Sequence, residues 1–339
     1  MSQSFASRIT GVGSAFPETR VTNTDLAKKL AKLGVDTNDS WIQERTGISE
    51  RRFSDPENPA EHNSSLGFLA AQKALDMAGK TAKEIDQIIY ATCSPDTLMP
   101  STACWLQHKI KASRAWAMDI NAACTGFIYG VATADQFVRT GAVKTALVVG
   151  GEVLHPLLNW EDRGSCILFG DGAGAAIVEQ VPSDSPRRIL SSHLLSDGSY
   201  CELFYIPAGG SNMETTPERY AQNLHKIKMN GKEIFKIAVR TLSDFANRAL
   251  KANQMTLDDL DWFVPHQANY RIIKAVAKRL KFPMDKILIN LDRYGNTSAA
   301  TIPTVLDEAV RDGRIKEGQT LLLDSFGAGL TYGSILLRW

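Results

Sequence analysis

The sequence lacks an excess of charge of either sign, a long apolar run and a secretory signal. Its 38 lysine and arginine residues nearly balance 37 aspartate and glutamate residues, which leaves a formal net charge of +1. Because no overall field favours nucleic acid or a membrane surface, we expect neither as a partner, and a charge-steered partner must meet a local patch. No apolar run approaches the length of about 18 residues that crosses a bilayer. The first residues, MSQSFASRIT, lack a signal-peptide core, so we expect a cytoplasmic protein.

Paired cysteine motifs are also missing. The spacing contains no CxxC and no cysteine–histidine cluster, so we expect no zinc or other metal site. An odd number of cysteines without a secretory signal predicts reduced thiols rather than a disulfide framework. The five cysteines are Cys93, Cys104, Cys124, Cys166 and Cys201.

A glycine-rich nucleotide loop is not supported either. The run GDGAG at residues 170–174 is followed by AAIVE, which looks like a strand rather than a helix that could bind a pyrophosphate. A hairpin between strands, or close backbone packing, is the better interpretation. The run FGAGLTYG, which begins at Phe326, could bring a backbone N–H close to a reacting carbonyl, because small residues allow close approach.

Strand-like runs alternate with amphipathic helices along the chain. Helical periodicity of apolar residues covers 64–78 and 232–249. The alternation predicts an α/β fold with largely buried strands. The predicted strands are 85–92, 146–149, 167–169, 175–178, 262–264, 287–291, 321–323 and 334–337.

The two halves of the sequence resemble each other. The segment that begins at Asn121 matches the segment that begins at Asp292 in pattern, and Gly141 follows Cys124 at the same separation as Gly313 follows Asn296. We infer an internal duplication with halves at 1–182 and 183–339 and a linker near 181–188, where turn-forming residues cluster. Cys124 and Asn296 then occupy equivalent starts of helices of equal length. Chance similarity of two strand–helix units is the alternative.

Three polar residues are candidates for chemistry. Cys124 follows a predicted strand and opens an apolar helix, where unpaired N–H groups and the helix dipole favour a thiolate. The alternative is a small core cysteine. His266 follows a short apolar strand, at the strand end where α/β proteins bind ligands, although a hydrogen-bonded structural histidine fits as well. Asn296, in YGNTSAA, could act in a site or cap a helix.

A basic stretch follows His266 directly. Arg271, Lys274 and Lys278 fall on one helical face, with Arg279 beside them, while apolar residues line another face. A solvated helix surface is one interpretation. The position next to HQAN favours a second one, in which the face recruits an acidic or phosphate-bearing partner to the mouth of a site.

In combination these motifs resemble the β-ketoacyl-[acyl-carrier-protein] synthase III family, the initiating condensing enzymes of bacterial type II fatty acid synthesis. The resemblance covers nearly the whole chain and implies the duplicated, five-layered αβαβα thiolase-like fold and a homodimer. It is carried by ITGVGSAFPETRVTN, SWIQERTGISERR, DINAACTGF, ALVVGGEVL, DRGSCILFGDGAGAAIV, VPHQANYRI, LDRYGNTSAATIP and SFGAGLTYGS.

The resemblance implies a role for each matched residue. Cys124 is the acylated nucleophile, His266 and Asn296 form the decarboxylation pair, and the backbone N–H groups of Cys124 and Ala328 form an oxyanion hole, with GAG in place of the family's GGG. The matched binding residues form three groups: Thr37, Trp41, Arg45, Arg163, Gly231 and Asn269 for coenzyme A; Met99 (reaching across the dimer interface), Leu154, Phe169 and Leu203 for the acyl end; Lys236, Arg271, Lys274, Lys278 and Arg279 for the carrier protein.

The implied reaction is ping-pong and needs no metal or redox cofactor. Cys124 attacks an acyl-CoA, and malonyl-acyl carrier protein then loses CO₂ and condenses with the acyl group. An asparagine rather than a second histidine beside His266 favours initiation over elongation. Met99 stands where the family often has an aromatic residue, and we expect short straight or branched primers. Three alternatives remain: a starter-unit or alkylquinolone-type synthase, an inactive acyl-binding protein of the same fold, and a cysteine hydrolase.

Overall fold

The computed structural model describes residues 5–339. Its strands are β1 Phe5–Ala15, β2 Arg20–Thr22, β3 Glu50–Arg52, β4 Gln87–Ala91, β5 Trp116–Ile120, β6 Thr145–Glu152, β7 Gly172–Pro182, β8 Ile189–Ser196, β9 Phe204–Tyr205, β10 Lys228–Met229, β11 Trp262–Pro265, β12 Thr320–Gly327 and β13 Thr331–Arg338. Its helices are α1 Asn23–Ala31, α2 Asp39–Thr46, α3 Asn63–Ala78, α4 Thr102–Ile110, α5 Gly126–Arg139, α6 Arg163–Cys166, α7 Pro217–Ala221, α8 Gly231–Ala252, α9 Tyr270–Leu280, α10 Leu291–Tyr294 and α11 Thr301–Arg311.

Two large sheets form the framework. The first has the order β1-β7-β6-β4-β5, and the second has the order β11-β12-β13-β8. β4 runs parallel to β5 and β6, and β11 runs parallel to β12, while β7 and β13 are antiparallel to their neighbours. Because the carboxyl ends of parallel strands meet at one edge, each sheet presents the residues that follow its parallel strands at that edge.

The layers are helix, sheet, helix, sheet, helix. α5 and α11 lie between the sheets, and their apolar side chains share one core with strands of both sheets. α5 is apolar nearly all round because both of its faces are covered. α3 and α4 cover the outer face of the first sheet, and α8 and α9 cover the outer face of the second. The predicted αβαβα architecture is therefore confirmed.

The two halves correspond in register, and this corrects one expectation. The 3-10 turn Ala123–Thr125 leads into α5 as the 3-10 turn Ser298–Ala300 leads into α11. Cys124 therefore corresponds to Ala299, and Asn296 corresponds to Asn121, so Cys124 and Asn296 are not equivalent. The two helices end at matching glycines but α5 has 14 residues and α11 has 11. The equal separation of Cys124 and Asn296 from these glycines therefore does not make the two residues equivalent, because α5 is about one turn longer than α11.

Several predicted elements differ from the structure. Residues 167–169 and 287–291 are not strands and contribute only the isolated bridges of Phe169 with Asn296 and of Ile287 with Phe263. The strands β1, β5 and β8 were not predicted, because serine, glycine or charged residues interrupt the apolar pattern in each. The boundary between 182 and 183 stays a prediction; β7 ends at Pro182 and β8 begins at Ile189.

The run GDGAG enters a strand, as expected, rather than a nucleotide-binding helix. β7 begins at Gly172, and a Cβ added at Gly174 would lie 2.7 Å from Pro303 of α11. Glycine is needed there because the central helix approaches the strand backbone closely. Among residues 5–339, no helix combines the length and apolar character needed to span a bilayer.

Candidate active site

Cys124, His266 and Asn296 line one cavity of about 550 Å³. Cys124 follows β5 of the first sheet, and His266 follows β11 of the second, so the two sheets deliver their strand ends to the same place. The cavity continues between α2, α8 and α9, where Trp41, Arg45 and other residues line it. Chain segments far apart in sequence thus enclose a thiol, an imidazole and a carboxamide.

The turn that carries Cys124 is fixed from the second sheet. The Ser325 hydroxyl donates a hydrogen bond of 3.0 Å to the Cys124 carbonyl oxygen, and the Thr331 hydroxyl donates one of 2.9 Å to the Ala122 carbonyl oxygen. Gly327, the last residue of β12, packs so tightly on this turn that an added Cβ would lie 2.9 Å from the Cys124 nitrogen. The position of Cys124 therefore depends on a glycine more than 200 residues away in sequence.

Gly327→Ala tests this packing. The new methyl group must displace the backbone of the Cys124 turn, so we expect a loss of about 1–3 kcal/mol in stability and a fall of at least about tenfold in the rate of Cys124 acylation. Thermal unfolding and intact-protein mass spectrometry measure the two effects. Gly198→Ala is the matched control, because an added Cβ there meets no atom within 4 Å. Wild-type melting and acylation in Gly327→Ala would contradict the prediction.

The Cys124 thiol is not the preformed thiolate that its helix position predicted. The side chain is 5% exposed, and burial raises the pKa of the Cys124 thiol to about 12. The buried carboxyl of Glu152 adds to the shift, whereas a hydrogen bond with the Ser298 side chain opposes it. Desolvation outweighs the N–H groups of one short 3-10 turn, so burial favours the protonated thiol of Cys124.

His266 is buried and neutral. Burial lowers the pKa of its ring to about 3. Its Nδ1 lies 2.7 Å from the Thr301 hydroxyl, which also lies 2.9 Å from the Ser298 carbonyl oxygen. The Thr301 hydroxyl has one proton and can donate it to only one of these two partners. If it donates to the Ser298 carbonyl oxygen, the His266 proton lies on Nδ1, and if it donates to Nδ1, the His266 proton lies on Nε2. The donor role expected for His266 Nε2 requires the second arrangement.

Asn296 is held by both its backbone and its side chain. Its N–H donates to the Leu168 carbonyl oxygen, and its carbonyl oxygen accepts from the Gly170 N–H. Its Oδ1 accepts a hydrogen bond of 2.8 Å from the Ser298 N–H. This bond restrains the turn before α11, although Asn296 is not the N-cap that the alternative interpretation expected, because Thr297 and Ala300 hold the N-cap positions. It fixes the carboxamide so that its NH₂ group remains to donate into the cavity.

The predicted oxyanion donors lie beside the thiol. Ala328 directly follows β12, and it lines a second cavity together with Cys124. The Cys124 N–H belongs to the first turn of a helix, where N–H groups have no partner within the turn. Two backbone donors at this point would suit a tetrahedral oxyanion on an acyl carbon bound to Sγ. Their role stays a prediction.

Most of the residues expected to bind coenzyme A lie at the cavity mouth. The guanidinium carbons of Arg45 and Arg163 lie 4.5 Å and 4.2 Å from the centre of the Trp41 ring. Gly231 begins α8 and Asn269 caps α9, and both line the cavity. An aromatic plane with two cations next to a channel suits a base and its phosphates.

Contacts tie these mouth residues together. The Asn269 side chain donates to the Arg45 carbonyl oxygen at 3.1 Å, and Arg163 donates to the Asp36 carbonyl oxygen at 2.7 Å. Thr37 lies next to Asp36, does not line the cavity, and its hydroxyl is buried without a hydrogen-bond partner among residues 5–339. Thr37 therefore sits behind the mouth rather than on its surface.

The expected acyl pocket is only partly as predicted. Leu154 and Phe169 line the second cavity, which measures about 460 Å³ and begins at Cys124. Leu203 instead ends the 3-10 turn Gly198–Leu203 and packs into the core beneath α8, whereas the next residue, Phe204, begins β9 and lines the cavity. Met99 is 87% exposed and does not line the cavity within one chain. Its contact with the acyl end therefore depends on a second copy.

The basic patch lies beside the cavity mouth. Arg271 and Lys236 line the cavity, which places part of the patch at the entrance. Lys236 pairs with Glu233 at 2.9 Å and Arg279 pairs with Asp244 at 3.5 Å, so part of its charge is neutralised locally. Its exposed members on α8 and α9 are Lys236, Arg271, Lys274, Lys278 and Arg279.

The sequence reasoning missed two polar residues next to the thiol. Glu152, the last residue of β6, is fully buried at the strand end where Cys124 lies. The Ser298 hydroxyl donates a hydrogen bond of 3.0 Å to Glu152 Oε1, and Ser298 lines the second cavity together with Cys124. An acid at the carboxyl end of a predicted parallel strand could have indicated Glu152. No sequence signal connects Ser298 to it.

Family profiles and full-length relatives match this chain. The profile described as "3-Oxoacyl-[acyl-carrier-protein (ACP)] synthase III" matches residues 118–198, and its "C terminal" counterpart matches residues 250–339. The β-ketoacyl-[acyl-carrier-protein] synthase III of Thioalkalivibrio sulfidiphilus is 46% identical over 98% of this chain and 99% of its own length. That of Alkalilimnicola ehrlichii is 48% identical over 98% and 99%.

Solved structures give the same result. The 3-oxoacyl-[acyl-carrier-protein] synthase III of Aquifex aeolicus is 40% identical and superposes with a TM-score of 0.88 over 98% of this chain and 100% of its own. The Pseudomonas aeruginosa enzyme is 35% identical, with a TM-score of 0.89 over 98% of both chains. The profiles, the relatives and the fold agree with the motifs of the sequence: the chain belongs to the 3-oxoacyl-[acyl-carrier-protein] synthase III family.

Proposed function

We propose that this condensing enzyme joins an acyl-CoA primer to malonyl-acyl carrier protein, releasing coenzyme A and CO₂ and forming 3-oxoacyl-acyl carrier protein. The observation that carries the proposal is the single cavity in which Cys124, His266 and Asn296 meet. A thiol can hold the primer covalently, and two polar side chains opposite it can stabilise a carbanion. We propose that no metal or redox cofactor takes part, because these groups supply each step.

Acylation is the first step. The Cys124 sulfur attacks the thioester carbon, and the N–H groups of Cys124 and Ala328 stabilise the oxyanion. Coenzyme A then leaves through the channel beneath Trp41 and Arg45, and the acyl chain remains in the second cavity beside Leu154 and Phe169. The two cavities meet at Cys124, which supports a leaving group and an acyl chain on opposite sides of the sulfur.

Condensation follows in the same cavity. The malonyl thioester oxygen accepts hydrogen bonds from Asn296 Nδ2 and from His266 Nε2–H, and these donors stabilise the enolate that forms as CO₂ leaves. A neutral His266 suits this role, and burial keeps its pKa low. The carbanion then attacks the acyl carbon on Cys124 and releases the sulfur. The product leaves on the carrier protein.

The carrier protein is proposed to dock on α8 and α9. The carrier must deliver its malonyl group through the mouth where Arg271 and Lys236 lie. Lys274 and Lys278 extend the same exposed surface and form no ion pair with a described residue. A positive surface with free ammonium groups next to the entrance steers an acidic partner toward the cavity.

The homodimer and the cytoplasmic location stay predictions. Two exposed aromatic residues support the dimer, because Trp116 on the edge strand β5 stacks edge-on with Phe137 of α5 at 5.1 Å, and both are over a third exposed. An uncovered edge strand with apolar neighbours is a pairing surface. The resemblance implies that Met99, which is 87% exposed, reaches across such an interface.

Intact-protein mass spectrometry tests the proposed function. Purified protein is mixed with acetyl-, butyryl- or octanoyl-CoA and then with malonyl-acyl carrier protein or, in a parallel reaction, with malonyl-CoA. We expect a mass increase of one acyl group, which the carrier protein removes as 3-oxoacyl product, with short primers reacting fastest. An acyl adduct that transfers to coenzyme A-linked malonate instead indicates the starter-unit alternative. An adduct lost only to water indicates a hydrolase, and either result would overturn the proposal.

A further inference from the structure

Asp171 is a fully buried acid that the mechanism above does not use. It lies directly before β7 and directly after Gly170, whose N–H donates to the Asn296 carbonyl oxygen. Its side chain lines neither of the two cavities that meet at Cys124. A buried carboxylate is retained only where hydrogen bonds replace the water that it has lost, so the donors around Asp171 indicate what it does.

Four groups from two other chain segments surround the Asp171 carboxylate. Its Oδ1 accepts hydrogen bonds from the Leu154 N–H at 2.7 Å and from the His155 N–H at 3.1 Å. Its Oδ2 accepts from the Ser54 N–H at 2.9 Å, and His155 Nδ1 lies 2.5 Å from the same oxygen. Because a carboxylate can only accept, Nδ1 carries the ring proton of His155. Asp171 thus ties its own loop to residues 54 and 154–155.

The bonds to Asp171 complete the start of the 3-10 turn His155–Leu157. The first N–H groups of a helical turn have no partner within the turn. Leu154 holds the N-cap position, and a leucine side chain cannot accept a hydrogen bond, so Asp171 supplies the acceptor from another loop. The Phe53 ring stacks on the His155 ring, with 5.0 Å between their centres. The turn is therefore clamped by contacts outside itself.

The clamped turn forms part of the wall of the second cavity, in which the acyl chain is proposed to lie. Leu154 and Leu157 line this cavity. Phe169 lines it too, and it lies two residues before Asp171 in the same loop. The Asp171 carboxylate therefore holds two parts of the cavity wall at a fixed separation.

One layer of side chains separates the second cavity from a neighbouring groove of about 760 Å³. Three residues, Cys93, Leu157 and Ile206, line both spaces. Leu157 is the last residue of the turn that Asp171 holds. A shift of this turn would open the second cavity into the groove and make room for additional methylene groups of an acyl chain.

We propose that Asp171 is a positioning residue that limits the length of the acyl primer, an inference that rests on the proposed function. Its carboxylate holds the turn His155–Leu157 next to Phe169, so that Leu157 closes the second cavity toward the groove. Short acyl chains fit the closed cavity, whereas longer chains need the space beyond Leu157. Asp171 lines neither cavity and acts on the primer only through this wall.

Asp171→Asn tests the role of the carboxylate. The substitution keeps the size of the side chain, but its NH₂ group must face either the Ser54 N–H or the two N–H groups at the start of the turn, which releases one segment. We expect the ratio of kcat/KM for octanoyl-CoA to that for acetyl-CoA to rise by at least about tenfold, because room for one further methylene group changes selectivity by about that factor. The KM for malonyl-acyl carrier protein should stay within about twofold of wild type, since the entrance is unchanged.

Two variants of His155 test the same clamp in a protein that retains Asp171. The His155 side chain is 17% exposed and lines neither cavity, so its replacement leaves the lining of both cavities unchanged. His155→Ala removes one donor to Asp171 and should raise the octanoyl-to-acetyl ratio by about threefold. His155→Asn places an Nδ2–H donor near the position of Nδ1 and should return the ratio to within about twofold of wild type.

Asp135→Asn is the matched control. Asp135 is 1% exposed, accepts a hydrogen bond of 2.6 Å from the Ser7 hydroxyl and lines neither cavity. We expect it to lower the melting temperature without changing the octanoyl-to-acetyl ratio. A wild-type ratio in His155→Ala or in folded Asp171→Asn, or an equal rise in Asp135→Asn, would show a structural role only and overturn the inference. A wild-type protein that forms no acyl adduct refutes the proposed function itself, and the inference with it.

Discussion

Cys124→Ala is expected to abolish acyl transfer. The variant should form no adduct with acyl-CoA, because no thiol remains to accept the acyl group. Its rate of product formation should fall by at least about 10⁴-fold, since the backbone N–H donors cannot replace that covalent step. Intact mass and 3-oxoacyl carrier protein formation measure the two losses. Alanine occupies less space in a cavity that already has room, so the melting temperature should change little.

Cys104→Ala is the control for this variant. Cys104 lies on α4, outside both cavities that meet at Cys124, and its removal should leave acylation at the wild-type rate. Cys93 and Cys201 line the acyl cavity beside Cys124, so an adduct that persists in Cys124→Ala would move the nucleophile to one of them. Peptide mapping of the adduct identifies which thiol carries it.

His266→Ala is expected to separate the two half-reactions. Acylation should stay within a few fold of wild type, whereas condensation should fall by about 10²- to 10³-fold, because the enolate loses one of its two donors. The acylated variant should therefore accumulate when malonyl-acyl carrier protein is added. Measuring the acyl adduct and the released CO₂ in the same reaction distinguishes the two steps.

His266→Gln and Asn296→Ala complete this experiment. Glutamine keeps an N–H donor at the end of the side chain and should recover about tenfold of the condensation that alanine loses. Asn296→Ala should give the same accumulation of acyl-enzyme. If His266→Ala stops acylation instead, His266 acts as the base for Cys124, and its proposed role in decarboxylation is wrong.

The fold could be predicted where the apolar pattern is continuous. The strands β4, β6, β11, β12 and β13 and the helices α3 and α8 follow from periodicity, because both faces of the parallel strands and one face of each outer helix are buried. The edge strand β5 is half-exposed, and β1 carries polar and glycine residues, so neither has that pattern. A local apolar pattern indicates which residues are buried, whereas β1 and β5 form strands because they pair with strands that are distant in sequence.

The sequence could predict which residues form the site, but not how deeply they are buried or how burial shifts their pKa values. The motifs identified Cys124, His266 and Asn296, which share one cavity. The sequence predicted a lowered pKa for Cys124, whereas its burial raises that pKa. A helix start is visible in a sequence, but the desolvation that outweighs it comes from segments such as β12 and the turn at Ser298, which no local pattern brings near.

The sequence by itself determined the α/β class through local apolar periodicity and the family through its ordered motifs. The resemblance to that family then implied the layered fold and the candidate reacting residues. Only the tertiary structure decided which groups touch. It brought Ser298 into a hydrogen bond with Glu152, turned Phe204 rather than Leu203 toward the second cavity, and buried Cys124 and His266 so that the thiol pKa rises and the imidazole pKa falls. Hydrogen bonds and desolvation act over a few ångströms in space, and the chain separates these residues by tens to hundreds of positions.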